Sequence, residues 1–437
     1  MDLIVCIVLM FAALLFTVWS GGQLFFATGF GLALFCIYAL RHGNSPRQLG
    51  AMLMVGVKKA LVVILVLLVI GMLTASWMLC GTIPYLVCLG MKLIQPRLFV
   101  LCAFLLCAAI SFLIGTAFGT ANTMGVVLMT IARGCGVSPA ITAGAILCGI
   151  YVGDRCSPMS SSLLLLSTLT GTDHYTNSRR TLRSCLAPLA LACLCYLPFS
   201  LANPMQGAVS DTAAALGESF CLEPVLLLPV AVMFLLCLCR VPMKKAMLGS
   251  IIAACAVALL VQGVSPLDLP RVLVLGFHLP EGTLAASLIH GGGISSMASG
   301  CLVVLTSCAL AGILEGTHAT ARFESTGREV GLGRYLRTTV TGILTGAIGC
   351  NQTMALVLTE SIRRGAYPDK DEFLQDLSFG GSLGPVLLPW CITVYIPMQS
   401  IDFAGLGYYP YQFWIFLMLL WRALIWAAHA RKSAKAA

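Results

Sequence analysis

One stretch of this chain of 437 residues gathers groups able to handle a small cation: Gly153-Asp154-Arg155-Cys156-Ser157-Pro158, followed by Ser160, Ser161 and Ser162. A carboxylate beside several hydroxyls supplies the oxygen ligands that a hard cation such as sodium requires. Asp154 is the one acid, of 17, expected inside an interrupted apolar segment. An ionised group there costs about 3 kcal/mol even on the mildest scale, so function is its default reading. The bland reading pairs Asp154 with Arg155 or makes it a cap for the following half-helix. The serines, equally, can bond carbonyls one turn back and only pack.

A second polar group lies in Gly115-Thr-Ala-Phe-Gly-Thr-Ala-Asn and supplies Thr116, Thr120, Asn122 and Thr123, with Asn351, Gln352 and Thr353 as its counterpart. Glycines at 115, 119, 346 and 349 let a helix unwind or be approached closely, although a small-residue packing face explains them too. Glu315 sits where an apolar run ends and reads as a solvated helix end or a gate to an inner vestibule, and Trp77 joins it as a gating candidate. Cys193/Cys195 and Cys237/Cys239 lack His or Asp partners at ligand spacing, so no metal site is expected. The six histidines form no nucleophile-base constellation. No enzyme activity and no cofactor are expected, the transported species being sodium and protons.

The elements that must hold these residues are membrane helices. Apolar residues make up 59% of the chain and charged residues 10%, with a mean hydropathy of +0.95. Such a composition excludes a water-soluble globule, and runs long enough to cross roughly 30 Å of hydrocarbon recur throughout. The formal charge of +9 follows from basic residues collecting in inner loops and needs no nucleic acid. The partners expected are the lipid bilayer and a small ion or small-molecule substrate, with a homodimer left open.

Ten crossings are read near 3–19, 22–40, 60–80, 98–133, 182–202, 222–240, 246–263, 293–314, 336–360 and 411–430, with 98–133 long enough for two. The first run has Asp2 and no basic leader, so it reads as a retained crossing rather than a signal peptide. Two further stretches, 138–170 and 377–400, are broken in the middle, the first at Gly153 to Pro158 and the second at Gly380-Gly381-Ser382-Leu383-Gly384-Pro385, with Pro389 beyond. Unwound backbone at depth is tolerated only inside protein or along a water-filled cavity, and both stretches are read as re-entrant hairpins. With both termini in the cytoplasm of an inner-membrane protein, only Lys92, Arg97, Arg271, Arg363, Arg364 and Lys370, of 26 Lys and Arg, fall outside.

The expected fold is therefore an all-α polytopic membrane domain over residues 1–437, with about ten crossings and two hairpins. Its halves, 1–205 and 206–437, follow one plan in opposite orientation. At an offset of 230, Gly119, Thr123, Met124, Val127, Leu128 and Arg133 recur as Gly349, Thr353, Met354, Val357, Leu358 and Arg363. Paired breaks in two inverted halves point to a midplane binding site in a secondary transporter.

These motifs resemble the NhaC-type sodium/proton antiporters of the ion transporter superfamily. The residues that carry the likeness are Thr74-Ala-Ser-Trp-Met-Leu-Cys-Gly-Thr-Ile-Pro84, Gly115 to Thr120, Gly153 to Ser160, Gly171-Thr-Asp173, Gly312-Ile-Leu-Glu315 and Leu387-Leu-Pro-Trp390. The resemblance implies sodium/proton exchange, some relatives exchanging sodium-lactate for malate and protons. It places Asp154 and Ser157 in the family's Gly-Asp-Lys-x-Ser-Pro motif, with Arg155 for Lys. The family's Ser-Asp-Thr-Thr-Asn appears as Ser160-Ser161-Ser162-Leu163-Leu164, and its Glu-Asp-Ser-Gly as Ser378-Phe379-Gly380-Gly381. Its Gly-Asp-Gln appears as Cys350-Asn351-Gln352, and its Pro-Trp-Asn as Pro389-Trp390-Cys391. Sodium with protons competing for Asp154 is the leading expectation; a proton- or sodium-coupled carrier of a small carboxylate or amino acid is the alternative, in which Arg155 can hold the carboxylate.

Overall fold

The computed structural model describes residues 3–205, 214, 216–239, 241–279, 286, 289–317, 327 and 329–436. The expected all-α membrane architecture is what it shows. Seven of its helices are long and apolar enough to cross a bilayer, eight if one bent pair counts as a span, and shorter apolar helices fill the rest. The described strands are a two-residue pair, Phe277–His278 with His290–Gly291.

A first layer comprises α1 (Leu3–Ser20), α2 (Leu24–Arg41), α3 (Pro46–Leu79) and the short α4 (Thr82–Leu93). Ser45 starts α3 with a reciprocal cap, its hydroxyl accepting from the Gln48 amide while the Gln48 side chain accepts from the Ser45 amide. Small residues let this layer close tightly on a later helix: any Cβ on Gly56 would lie 2.1 Å from the Cys308 carbonyl oxygen.

Next comes a helical hairpin. α5 (Phe99–Ile114) ends at Gly115, whose φ of 77° turns the chain back, and Thr116 caps the second arm by accepting from the Gly119 amide. That arm runs through α6 (Ala117–Thr120), a π-turn over Ala121–Gly125 and α7 (Val126–Gly134). Both its ends lie at the same end of the bundle, since Cys135 touches Met91 at 3.5 Å and the Pro96 carbonyl accepts from the Met205 amide. The 98–133 segment is thus not one crossing but a helical hairpin of two antiparallel arms.

α8 (Pro139–Cys156), a break at 157–160 and α9 (Ser161–Thr170) follow, and then α10 (His174–Ala202), which serves as a ruler. Tyr196, near the far end of α10, bonds the Gly144 carbonyl, while Asn177, near its start, bonds Ser167. The α8–α9 unit therefore passes from one end of α10 to the other as an interrupted crossing. The hairpin expected over 138–170 is corrected accordingly.

The second half builds α11 (Leu228–Leu238), α12 (Met243–Leu260), α13 (Asp268–Leu275), α14 (Gly293–Ser296) and α15 (Ala298–Gly316), with α15 packed along α3. α16 (Gly331–Gly349) and α17 (Gln352–Arg363) then form another hairpin, turning at Cys350 with φ 50°. Its two ends meet: Arg363 pairs with Glu329 at 2.6 Å, and the Thr345 and Thr359 hydroxyls touch at 2.8 Å between the arms. The single crossing expected over 336–360 is thus two antiparallel arms, because Asn351 starts a new helix by accepting from the Thr353 amide.

α18 (Lys370–Asp376) continues through a π-turn at Leu377–Gly381 and a 3-10 turn at Gly384–Leu387, breaks at 388–391, and resumes as α19 (Ile392–Ser400) with a bend of 54°. So shallow a bend carries the chain onward. Asp376 lies beside Arg422 and Trp426 of the last helix, α20 (Phe413–Ala436), whereas the Leu387 carbonyl accepts from Tyr409 ahead of that helix. The stretch 377–400 belongs to an interrupted crossing as well. The helical hairpins that meet these breaks lie instead, among the described residues, at 96–134 and 331–363.

Candidate ion and substrate site

Both hairpin tips and both helix breaks converge. Ala117, the first residue of the first hairpin's second arm, presents its amide to the Asp154 carboxylate. Ile392, opening α19, donates its amide to the Cys350 carbonyl at the second tip, 2.8 Å away. Tyr151, one turn before Asp154, donates to the Thr393 carbonyl at 2.5 Å and ties the first break to the second.

Between these elements lies a cavity of about 520 Å³, whose lining includes Thr116, Asp154, Lys244, Asn351 and Thr353. Asp154 is buried, and its Oδ2 accepts from the Ser162 hydroxyl at 2.9 Å. Ser160 donates to the Asp154 main-chain carbonyl and accepts from the Leu163 amide, capping α9. Arg155 points elsewhere. Its Nε donates to Ser378 at 3.1 Å and its guanidinium lies 3.8 Å above the Phe379 ring. A hydroxyl and a ring, rather than an acid, thus hold the Arg155 side chain. No described ion pair includes Asp154, and the carboxylate is left to hydroxyl, amide and cavity.

The remaining expected residues separate into groups. Ser161, Asn351, Gln352 and Thr353 line the same cavity. Ser157 is buried within the break and accepts from the Met159 amide, and Ser382 is buried behind Gln352, which donates to its hydroxyl at 2.8 Å. Thr120 and Thr123 bond the Thr116 and Gly119 carbonyls one turn back. Asn122 faces a different cavity of about 240 Å³, with Thr74, Arg133, His290, Gln399 and Asp402, toward the opposite end of the bundle. Trp77 donates to Ser250 at 2.9 Å, joining α3 to α12, and Glu315 pairs with Lys59 at 2.6 Å.

The glycine and proline positions act through packing. A Cβ on Gly153 would lie 2.0 Å from the Ser111 carbonyl carbon, so α5 and α8 touch there backbone to backbone. Gly381 lies under Leu377, Gly384 against Ile343, and Pro385 on Gly346. The Pro158 carbonyl meets His174 at 2.7 Å, and beside Pro389 the Trp390 indole donates to the Ala347 carbonyl.

Two features escaped the sequence reading. Lys244, in sequence one more basic residue of an inner loop, lines the cavity that holds Asp154. Asp376, 0% exposed, is a second buried acid, bonded to Arg422 at 2.7 Å, Trp426 at 3.0 Å and Tyr367 at 2.9 Å. Its signal was Arg422 itself, a lone cation inside the last apolar run that needed an acidic partner.

The model of the Na+/H+ antiporter family matches residues 1–182 and 149–423. The Na+/H+ antiporter NhaC of Alkalihalophilus pseudofirmus is 26% identical, covering 83% of this chain and 81% of the relative. The malate-2H+/Na+-lactate antiporter of Bacillus subtilis is 25% identical over 89% of this chain and 86% of the relative. The arginine/ornithine antiporter ArcD of Halobacterium salinarum is 27% identical over 80% and 75%. A match that reaches from the first helix into the last, across both hairpins and both breaks, identifies the chain as a member of the Na+/H+ antiporter family.

Proposed function

We propose that the protein exchanges sodium for protons by alternating access, with the Asp154 carboxylate as the site both cations share. The observation that carries this reading is a buried carboxylate without an ion-pair partner, bordering a cavity where two hairpin tips and two broken helices meet. Sodium stabilises the ionised form, protonation removes the ligand charge, and each cation therefore displaces the other. Competition couples the two fluxes.

The packing of α1 on α2 and of α11 on α12, and the hairpins opening toward opposite ends, support two inverted repeats, 1–205 and 206–437. Such halves are able to rock about a fixed midplane site. The larger cavity, with Lys244 at its rim, is the inner vestibule, and the one around Asn122 is the outer. Orientation follows from charge. With Arg363, Arg364 and Lys370 on the same end as the described chain ends and Arg133 on the other, the outer face keeps, among the described Lys and Arg, only Lys92, Arg97, Arg133 and Arg271. That asymmetry is stronger than the one read from sequence and favours cytoplasmic termini in an inner membrane.

A second reading is coupled carriage of a small carboxylate or amino acid, supported by the activities named for the lactate/malate and arginine/ornithine relatives. The test is sodium-driven proton flux in proteoliposomes. Replacing Asp154→Asn is expected to reduce it to background; flux that persists overturns the Asp154 site.

A further inference from the structure

The inner cavity is built for more than a bare cation. A sodium ion is wrapped by oxygens at contact distance, whereas about 520 Å³ is the size of a small-molecule pocket. Its charged lining is one carboxylate and one ammonium, Asp154 and Lys244. They come from different elements: Asp154 from the broken α8–α9 crossing, Lys244 from the start of α12. The two approach through the first hairpin tip, because Ala117 faces Asp154 and the Met243 side chain packs on Gly119. Lys244 is exposed and enters no ion pair among the described residues; its one described polar partner is the Val62 carbonyl, at 3.4 Å. Thr116, Ser161, Asn351 and Thr353 supply neutral hydrogen-bonding groups to the same lining.

Two fixed charges of opposite sign match a ligand that carries both signs. A bare sodium ion at Asp154 leaves Lys244 as a like charge in the same cavity, which opposes binding; a carboxylate beside Lys244 removes that opposition.

We infer that Lys244 is the carboxylate-binding residue for a small substrate whose cationic end sits at Asp154. The substrate is either a covalent zwitterion such as an amino acid or a sodium-carboxylate ion pair. This inference rests on the Asp154 site proposed above and adds the partner that sets its selectivity.

The test uses the full-length protein, with binding read by thermal shift and transport by counterflow in proteoliposomes. The probes are sodium chloride, sodium lactate, N-methylglucamine lactate, sodium-free alanine and lysine, and the uncharged lactamide. A carboxylate-bearing probe is expected to bind saturably and lactamide not to. Lactate that requires sodium identifies the ion pair, and an amino acid bound without sodium identifies the zwitterion. Lys244→Gln is expected to weaken the responding carboxylate about tenfold or more, the scale of a lost charge-assisted contact, and Lys244→Arg to restore most of it. Lys244→Gln is also expected to strengthen the response to sodium chloride, which a merely structural lysine would not do. Unchanged carboxylate affinity in Lys244→Gln, or no carboxylate response while sodium-driven proton flux runs, overturns the inference. Flux that survives Asp154→Asn strikes the shared cation site instead.

Discussion

Asp154 and Asp376 are both buried carboxylates beside a helix irregularity, yet their surroundings assign them opposite tasks. Asp376 is saturated by the Arg422 guanidinium, the Trp426 indole and the Tyr367 hydroxyl, all fixed parts of the protein. Asp154 has a serine hydroxyl, a backbone amide and open space. A charge neutralised by the fold cannot exchange its counterion, whereas one neutralised by nothing in the fold must take a counterion or a proton from outside. The contrast separates a structural pair from the proposed transport site more sharply than burial alone.

The largest break in that contrast comes from neutralising each acid. Asp154→Asn is expected to lower coupled flux by about a hundredfold or more while the protein remains folded, since it removes the proposed shared cation site. Equal loss of flux in a well-folded Asp376→Asn protein would erase the distinction.

Next in size is the pair itself. Arg422→Gln leaves Asp376 buried and unpaired and is expected to cost about 3–5 kcal/mol in unfolding measurements, with much of that regained in the Arg422→Gln, Asp376→Asn double variant. A double variant no better than the single would show that the two side chains do not act as a unit.

A smaller effect sharpens the Asp154 side. Ser162→Ala removes the hydroxyl that donates to its carboxylate and is expected to weaken sodium about tenfold, near 1.4 kcal/mol, in binding titrations. The smallest concerns Glu329, a surface acid that closes the second hairpin. Its hydrogen bond and charge pairing with Arg363, helped by Arg337, hold its carboxyl below the ordinary value of 4.5. A depressed acid contributes its stability in full above the unfolded value and loses it as pH falls through the folded one. Hydrogen-exchange protection at the mouth of 331–363, taken relative to the intrinsic exchange rate at each pH, is thus expected to stay constant from about pH 7 to about 5 and to fall only below the usual glutamate range.

Much of this arrangement was legible in the residues. Hydropathy gave the membrane, and the Gly-, Ser- and Pro-bearing stretches marked 138–170 and 377–400 as interrupted helix, although the breaks fall at 157–160 and 388–391, a few residues beyond the expected 153–158 and 380–385. Direction was not legible. Apolar content is the same whether a chain passes through or doubles back, so 98–133 and 336–360 looked like crossings while the interrupted 138–170 and 377–400 looked like hairpins. Gly115-Thr116 and Cys350-Asn351 held the missing signal: a residue in the left-handed region followed by a hydroxyl or amide N-cap ends one helix and starts another. Asp376 and Lys244 escaped for a different reason. Each lies beside a basic or acidic loop and reads as solvated until distant helices are brought against it.

Alternating exposure of Asp154 is tested most directly by side-specific labelling of a cysteine at Ser161, in a background freed of the native cysteines, with a membrane-impermeant reagent. In the state described here it should react from the cytoplasm alone. A steep opposing sodium gradient should open a population reactive from outside, whereas reactivity confined to one face under every gradient would contradict the account.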